Sequence, residues 1–160
     1  MFILDSISSN SIYGSSSLCV ETNANQTLTI TQAIVDPKRG TYKLKAFLKL
    51  EEIGFEGIVI SLKATYSTIP LVDPLSMSSI NETNAIIPPV IPPRNGTITK
   101  SITISDIDEY KEYQLDDLTI PNSATLISEL LITISIPSNT KVYFDYFSFE
   151  FFSRVLKKPL

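Results

Sequence analysis

The side chains that could do chemistry are few, and most of them are acids. Asp106, Asp108, Glu109, Glu112, Asp116 and Asp117 fall within one short stretch. Two carboxylates in one groove are what glycoside hydrolysis uses, one as acid and one as base or nucleophile. A ring of oxygens is also what calcium wants. The run lacks the glycine and the ligand spacing of an EF-hand loop, and it reads as a solvated loop. Histidine is absent. That zero removes Ser-His-Asp and Cys-His catalysis, His-ligated zinc and a histidine pH switch. The single cysteine, Cys19, can form neither an internal disulfide nor a thiolate cluster. It reads as a small buried hydrophobe in a strand. No catalytic constellation forms, so the expectation is a protein that is not an enzyme.

The chain that must position these groups has 160 residues, 43% of them hydrophobic and 19% charged, which predicts one folded domain over residues 1–160. With 13 Lys+Arg against 17 Asp+Glu and a net charge of −4, a nucleic-acid surface built on bulk positive charge is disfavoured. No apolar run reaches the roughly 20 residues of a membrane helix, so membrane insertion is not expected. Met1–Asp5 lacks a basic leader and its apolar run stops at Asp5, so no signal peptide is visible.

The dominant pattern is alternation with period two. Over 41–51, Tyr42, Leu44, Ala46, Leu48 and Leu50 share one face, and Thr41, Lys43, Lys45, Phe47, Lys49 and Glu51 share the other. That is a strand with one oily and one wet side. The same pattern gives Leu28, Ile30 and Ile34; Ile58, Ile60, Leu62 and Ala64; Ile98, Ile102 and Ile104; and Leu126, Leu130, Ile132, Ile134 and Ile136. Shorter strands are expected at 2–4, 17–21 and 112–120. Asp36-Pro-Lys-Arg-Gly40, Glu52–Gly57 and Pro137-Ser-Asn139 supply turns. Many strands and no convincing helix predict an all-β fold: an antiparallel two-sheet β-sandwich of jelly-roll type.

One insertion interrupts it. Six of the ten prolines, Pro70, Pro74, Pro88, Pro89, Pro92 and Pro93, lie between Ser67 and Gly96. Proline donates no ladder hydrogen bond, so 67–96 is expected to be a long loop, either an arm packed over the sandwich or a lid, with the arm preferred. Residues 153–160 form a basic tail on an acidic body, a solvated end or a docking element for an acidic neighbour. Asn25, Asn81 and Asn95 head glycosylation-type triplets, which arise readily by chance in a chain so rich in Ser and Thr.

The last long strand, 141–152, is oily on both sides. Strict alternation puts Tyr143, Phe147, Phe149 and Phe151 on one face and Val142, Phe144, Tyr146 and Phe152 on the other. One face of a two-layer sandwich meets the core, so the other needs a cover. Tyr143, Tyr146, Phe147, Phe149, Phe151 and Phe152 are therefore the expected assembly surface.

Three segments together resemble the jelly-roll, galactose-binding-like carbohydrate-binding modules. They are Leu28-Thr-Ile-Thr-Gln32-Ala-Ile-Val35 followed by Gly40-Thr-Tyr42-Lys-Leu44-Lys-Ala46; Tyr113-Gln114 through Ile120-Pro121-Asn122-Ser-Ala124; and Val142-Tyr-Phe144-Asp145-Tyr-Phe147-Ser-Phe149. The likeness covers about two thirds of the chain and is one of spacing. It implies a sandwich fold and a glycan ligand. It also implies a structural calcium ion with Asp145 as a ligand, against the alternative of a carboxylate bonded to backbone at a strand kink. No other cofactor is expected. The chain departs from those modules in having no tryptophan and no matching N-terminal calcium segment. A sugar needs a flat aromatic platform with fixed polar groups, and Tyr66, Tyr110, Tyr113 and Gln114 are the candidates outside the core stripes. Gln32 lies on an oily face and reads as a structural hydrogen-bonding group.

Two function classes follow. The first is a non-catalytic structural or assembly protein of a virion or surface coat, working as a homo-oligomer or with other coat subunits. The second is a carbohydrate-binding module recognising a glycan through Tyr-lined loops. The missing tryptophan places assembly ahead, with a virion or extracellular surface as the location.

Overall fold

The computed structural model describes residues 17–69, 93–106 and 108–153. The strand expected at 2–4, residues 70–92 of the proline-rich insertion and residues 154–160 of the basic tail lie outside the described residues. The described chain runs through β1 (Leu18–Glu21), β2 (Leu28–Ala33), β3 (Thr41–Glu52), β4 (Ile58–Thr68), β5 (Arg94–Ile104), β6 (Asp108–Gln114), β7 (Leu118–Thr119), β8 (Leu126–Ile136) and β9 (Lys141–Phe152). The front sheet has the order β1-β9-β3-β6, with β7 also pairing β3, and the back sheet has the order β2-β8-β4-β5. All pairings are antiparallel. Most connections step from one sheet to the other, so the fold is an all-β sandwich of jelly-roll type. Among the described residues no helix is long and apolar enough to cross a membrane.

Alternation builds the core where the sequence places it. Tyr42, Leu44, Ala46, Leu48 and Leu50 of β3 are at most 3% exposed, and Ile58, Ile60, Leu62 and Ala64 of β4 are 0% exposed. Leu130, Ile134 and Ile136 of β8, Ile104 of β5 and Val142 and Phe144 of β9 join them. Cys19 is buried. Among the described residues, every buried side-chain nitrogen or oxygen has a hydrogen-bond partner.

Two irregularities reset the alternation. In β9, Leu48 pairs with Phe144 and Phe47 with Tyr146, so Asp145 is an extra residue, a β-bulge. Beyond it the faces exchange. Phe147, Phe149 and Phe151, opposite Ala46, Leu44 and Tyr42, continue the inner face of Val142 and Phe144. Tyr143, Tyr146 and Phe152, opposite Lys49, Phe47 and Thr41, share the outer face. The strict-alternation assignment of this strand is thereby corrected. In β8, Thr65 pairs with Glu129 and Tyr66 with Ile127. The skipped Ser128 bonds the Thr65 carbonyl through its hydroxyl at 3.1 Å. That bulge turns Ile127 inward and leaves Leu126, expected in the core, 62% exposed.

Other expected boundaries move. Ser67 pairs with Asn95 and Thr68 with Arg94, so the ladder resumes directly after Pro93 and both ends of the expected 67–96 loop are strand. Gly96 permits this: a Cβ there would lie 2.5 Å from the Tyr66 ring, which covers it as aromatic rings cover strand glycines. The strand expected over 112–120 is two, β6 and β7. The acidic stretch expected as a loop is strand from Asp108 to Gln114. At the far end, the β3–β4 turn sits on the β8–β9 turn. A Cβ on Gly54 would lie 2.0 Å from the Ser138 carbonyl oxygen, a backbone approach only glycine allows.

Three edge strands, β2, β5 and β6, share a device. Lys100 of β5 pairs with Leu62, Lys111 of β6 with Leu48, and Gln32 of β2 with Ile132. Each thus puts a polar side chain on the core-facing row of its strand. Gln32 is exposed, and its amide donates to the Ala33 carbonyl at 2.8 Å.

Candidate functional site

The outer face of the front sheet carries the richest set of groups. Residue 47 of β3 belongs to the wet face that also carries Lys43, Lys45 and Lys49, yet it is phenylalanine. Its ring stacks on Tyr110 of β6 at 5.6 Å between centroids and 10° between planes, and on Tyr146 of β9 at 5.6 Å and 19°. Near-parallel rings at that separation overlap in an offset stack. The three half-buried rings form a row across three strands.

Charged groups frame the row. Glu112 accepts from the Tyr146 hydroxyl at 2.7 Å and from the Lys45 ammonium at 3.0 Å. These two donors hold its carboxyl below the usual carboxylate range, Tyr146 contributing most. One step along the sheet, Glu51 meets Lys141 at 3.0 Å and Lys49 at 3.4 Å and accepts from the Tyr143 hydroxyl at 3.2 Å. Its carboxyl is also held low, first by the bond from Lys141. The same contact, then Tyr143, pushes the Lys141 ammonium up. Burial pushes the Tyr143 phenol up. At the other end Lys43 lies 3.8 Å from Asp117 and 5.2 Å from the Phe152 ring centroid. Each cation of this face thus has an anion, so the face offers fixed donors and acceptors with little net field.

Carboxyls held low in the folded chain contribute stability above their unfolded pKa, near 4.3, and lose it as pH falls through the lower folded value. Urea unfolding from pH 7 to pH 3 should show falling stability below about pH 4.5, with part of that slope removed in Glu51→Gln. An identical slope in the variant would dissociate Glu51 from the effect.

The residues predicted for a sugar platform are divided by the fold. Tyr110 is in the row, and its hydroxyl donates to Ser17 at 3.3 Å. Gln114 is on the same outer face, opposite Lys45. Tyr113 pairs with Ala46 on the inner face and packs against the core, with Lys111 over its ring at 5.6 Å. Tyr66 is in the back sheet, packed on the core and on Gly96. The row therefore unites Tyr110 from the sugar set with Tyr146 from the assembly set, joined by Phe47, which neither set contained. Its signal was present: one large aromatic among lysines on a polar strand face.

The assembly set is divided too. Tyr143 is 7% exposed, and Phe149 is half-buried and stacked on Tyr42 at 5.6 Å. Phe147, Phe151 and Phe152 are 41%, 39% and 46% exposed. Asp145, nominated for calcium, is the bulge residue. Among the described residues no three acidic, cysteine or histidine side chains gather to hold a metal ion.

No protein-family model matches the chain, and no curated protein matches it by sequence. Solved structures do. A family 16 carbohydrate-binding module-2 superposes with a TM-score of 0.54 and 14% identity, covering 90% of this chain and 82% of that one. TmCBM61, solved with β-1,4-galactotriose, gives 0.44 and 16% identity over 94% and 80%. The enzymatically active domain of bacteriophage CBA120 tailspike protein 4 gives 0.50 and 12% identity, covering 95% of this chain. This chain spans only 18% of that tailspike chain. At these identities the likeness is one of fold: the chain has the β-sandwich fold of carbohydrate-binding modules.

Proposed function

We propose that the chain is a non-catalytic glycan-binding module whose ligand lies across the outer face of the front sheet. The observation that carries the reading is the Tyr110–Phe47–Tyr146 row framed by Glu112 and Lys45 on one side and Glu51, Lys49 and Lys141 on the other. Pyranose C–H groups pack on aromatic rings, and hydroxyls bridge fixed donor–acceptor pairs. The offset rings supply the apolar strip that tryptophan would otherwise provide. That removes the main objection the sequence raised, and it moves glycan binding ahead of assembly. The module works at a virion or extracellular surface, where such glycans are displayed.

The test is a glycan array followed by calorimetry on neutral oligosaccharides. Phe47→Ala and Tyr146→Ala should each weaken the best ligand by about tenfold or more, equivalent to about 1.4 kcal/mol, while Tyr113→Phe leaves it unchanged. A flat array, or full affinity in Phe47→Ala, overturns the reading.

A second reading, a subunit of a homo-oligomer or coat, draws on Phe147 and Phe151, which stay 41% and 39% exposed on the core-facing row of β9. Rings that open to water favour burial against another surface. A clean monomer by light scattering at high concentration would end it.

A further inference from the structure

At the end of the sandwich where β2 gives way to β3 lies an open cavity of about 590 Å³, within the size range of ligand pockets. Asp36, Pro37, Lys38 and Arg39 form one wall, and Ala124–Ile127 the other. It shares no residue with the aromatic row.

The cationic wall is built rigidly. Asp36 takes a positive φ of 52°, a conformation aspartate tolerates better than most residues, and Pro37 fixes the next φ. Beneath them the hydroxyl of the buried Tyr42 accepts from the Lys38 N–H at 2.7 Å and donates to the Lys38 carbonyl. The backbone from which the Lys38 and Arg39 side chains leave is thus clamped from the core. Arg39 donates one Nη1 bond to the Asn122 carbonyl at 3.2 Å, which anchors its guanidinium to the segment that leads into the opposite wall. The opposite wall is fixed where Thr125 bonds the Ser67 carbonyl through both its N–H, at 2.8 Å, and its hydroxyl, at 3.0 Å. Among the described residues, neither Lys38 nor Arg39 has a carboxylate within ion-pair distance. The two cations are adjacent in sequence and line the same cavity.

We propose that this cavity binds an acidic sugar, with Arg39 and Lys38 receiving the carboxylate of a uronic acid; the inference rests on the glycan-binding reading and adds a second, separate site to it. A planar guanidinium fork matches a carboxylate bidentately, and the ammonium supports it as a point charge. Asp36 accepts from ring hydroxyls, which a bare inorganic anion does not offer.

Trigalacturonate and the corresponding neutral trisaccharide are titrated by calorimetry into the full 160-residue chain, and thermal melts confirm that each variant is folded. Trigalacturonate should bind and weaken with added salt. Arg39→Ala and Lys38→Ala should each cost tenfold or more in its affinity, Arg39→Lys should cost less than Arg39→Ala, and Lys63→Ala, which removes a back-sheet cation paired with Glu129, should leave it unchanged. Absence of trigalacturonate binding overturns the proposal. So does binding that survives both alanine variants, or binding lost equally in Lys63→Ala. Loss of the neutral ligand's site alone, with Arg39-dependent binding of the acidic one intact, overturns the aromatic-row reading and leaves this one standing.

Discussion

Leu48→Ala should lower the unfolding free energy by about 2–5 kcal/mol, the range for large-to-small changes in packed cores. At about 2–4 °C per kcal/mol for a domain of this size, melting should fall by roughly 10 °C. Leu48 is 1% exposed and lies on β3, which pairs with β9, β6 and β7 and so organises the front sheet. On its two sides it is paired with Phe144 and Lys111. Neither flanking element can slide inward to fill the gap without breaking its own ladder, so relaxation is limited and the cost should fall in the upper half of the range. Equilibrium urea denaturation measures it. A loss below about 1 kcal/mol would mean that the site collapses freely and that β3 is not the organiser of its sheet.

Thr22→Val should cost about 2–4 kcal/mol although the side chain keeps its shape, because burying unsatisfied polar groups costs about 1–3 kcal/mol each. Thr22 is 4% exposed, and its hydroxyl is buried with it. It donates to the Pro137 carbonyl and accepts from the Thr140 N–H at 3.0 Å, tying the segment after β1 to the β8–β9 turn. Thr140 is 1% exposed, so water cannot easily replace the lost partner. Thr22→Ser should restore most of the stability, and amide exchange at Thr140 should accelerate in the valine variant alone. Equal stability of the valine and wild-type chains would refute the account.

Strands β3, β4 and β5 were legible in the sequence because their alternation runs unbroken: each leucine or isoleucine read as inward on β3 and β4 is buried. What could not be read was phase after an extra residue. A bulge leaves composition unchanged and turns every later side chain over. One at Asp145 put Phe147, Phe149 and Phe151 on the core-facing row and Tyr146 on the outer one, and one at Ser128 expelled Leu126. The aromatic row was invisible for a second reason. Phe47, Tyr110 and Tyr146 are far apart in sequence and meet only because β6 and β9 flank β3, an order that no local pattern encodes. The Lys38–Arg39 cavity was hidden likewise: the turn was read, but its facing wall at 124–127 came from strand order.

The polar residues in the core-facing rows of β2, β5 and β6 bear on how this protein behaves in a crowd. A foreign strand that docked on one of those margins would have to extend a greasy layer beside an ammonium or an amide, which is poor ground for open-ended stacking. Stacking through those three margins should therefore not propagate into fibrils. Any union between molecules there should run through side chains, as reversible, countable contacts.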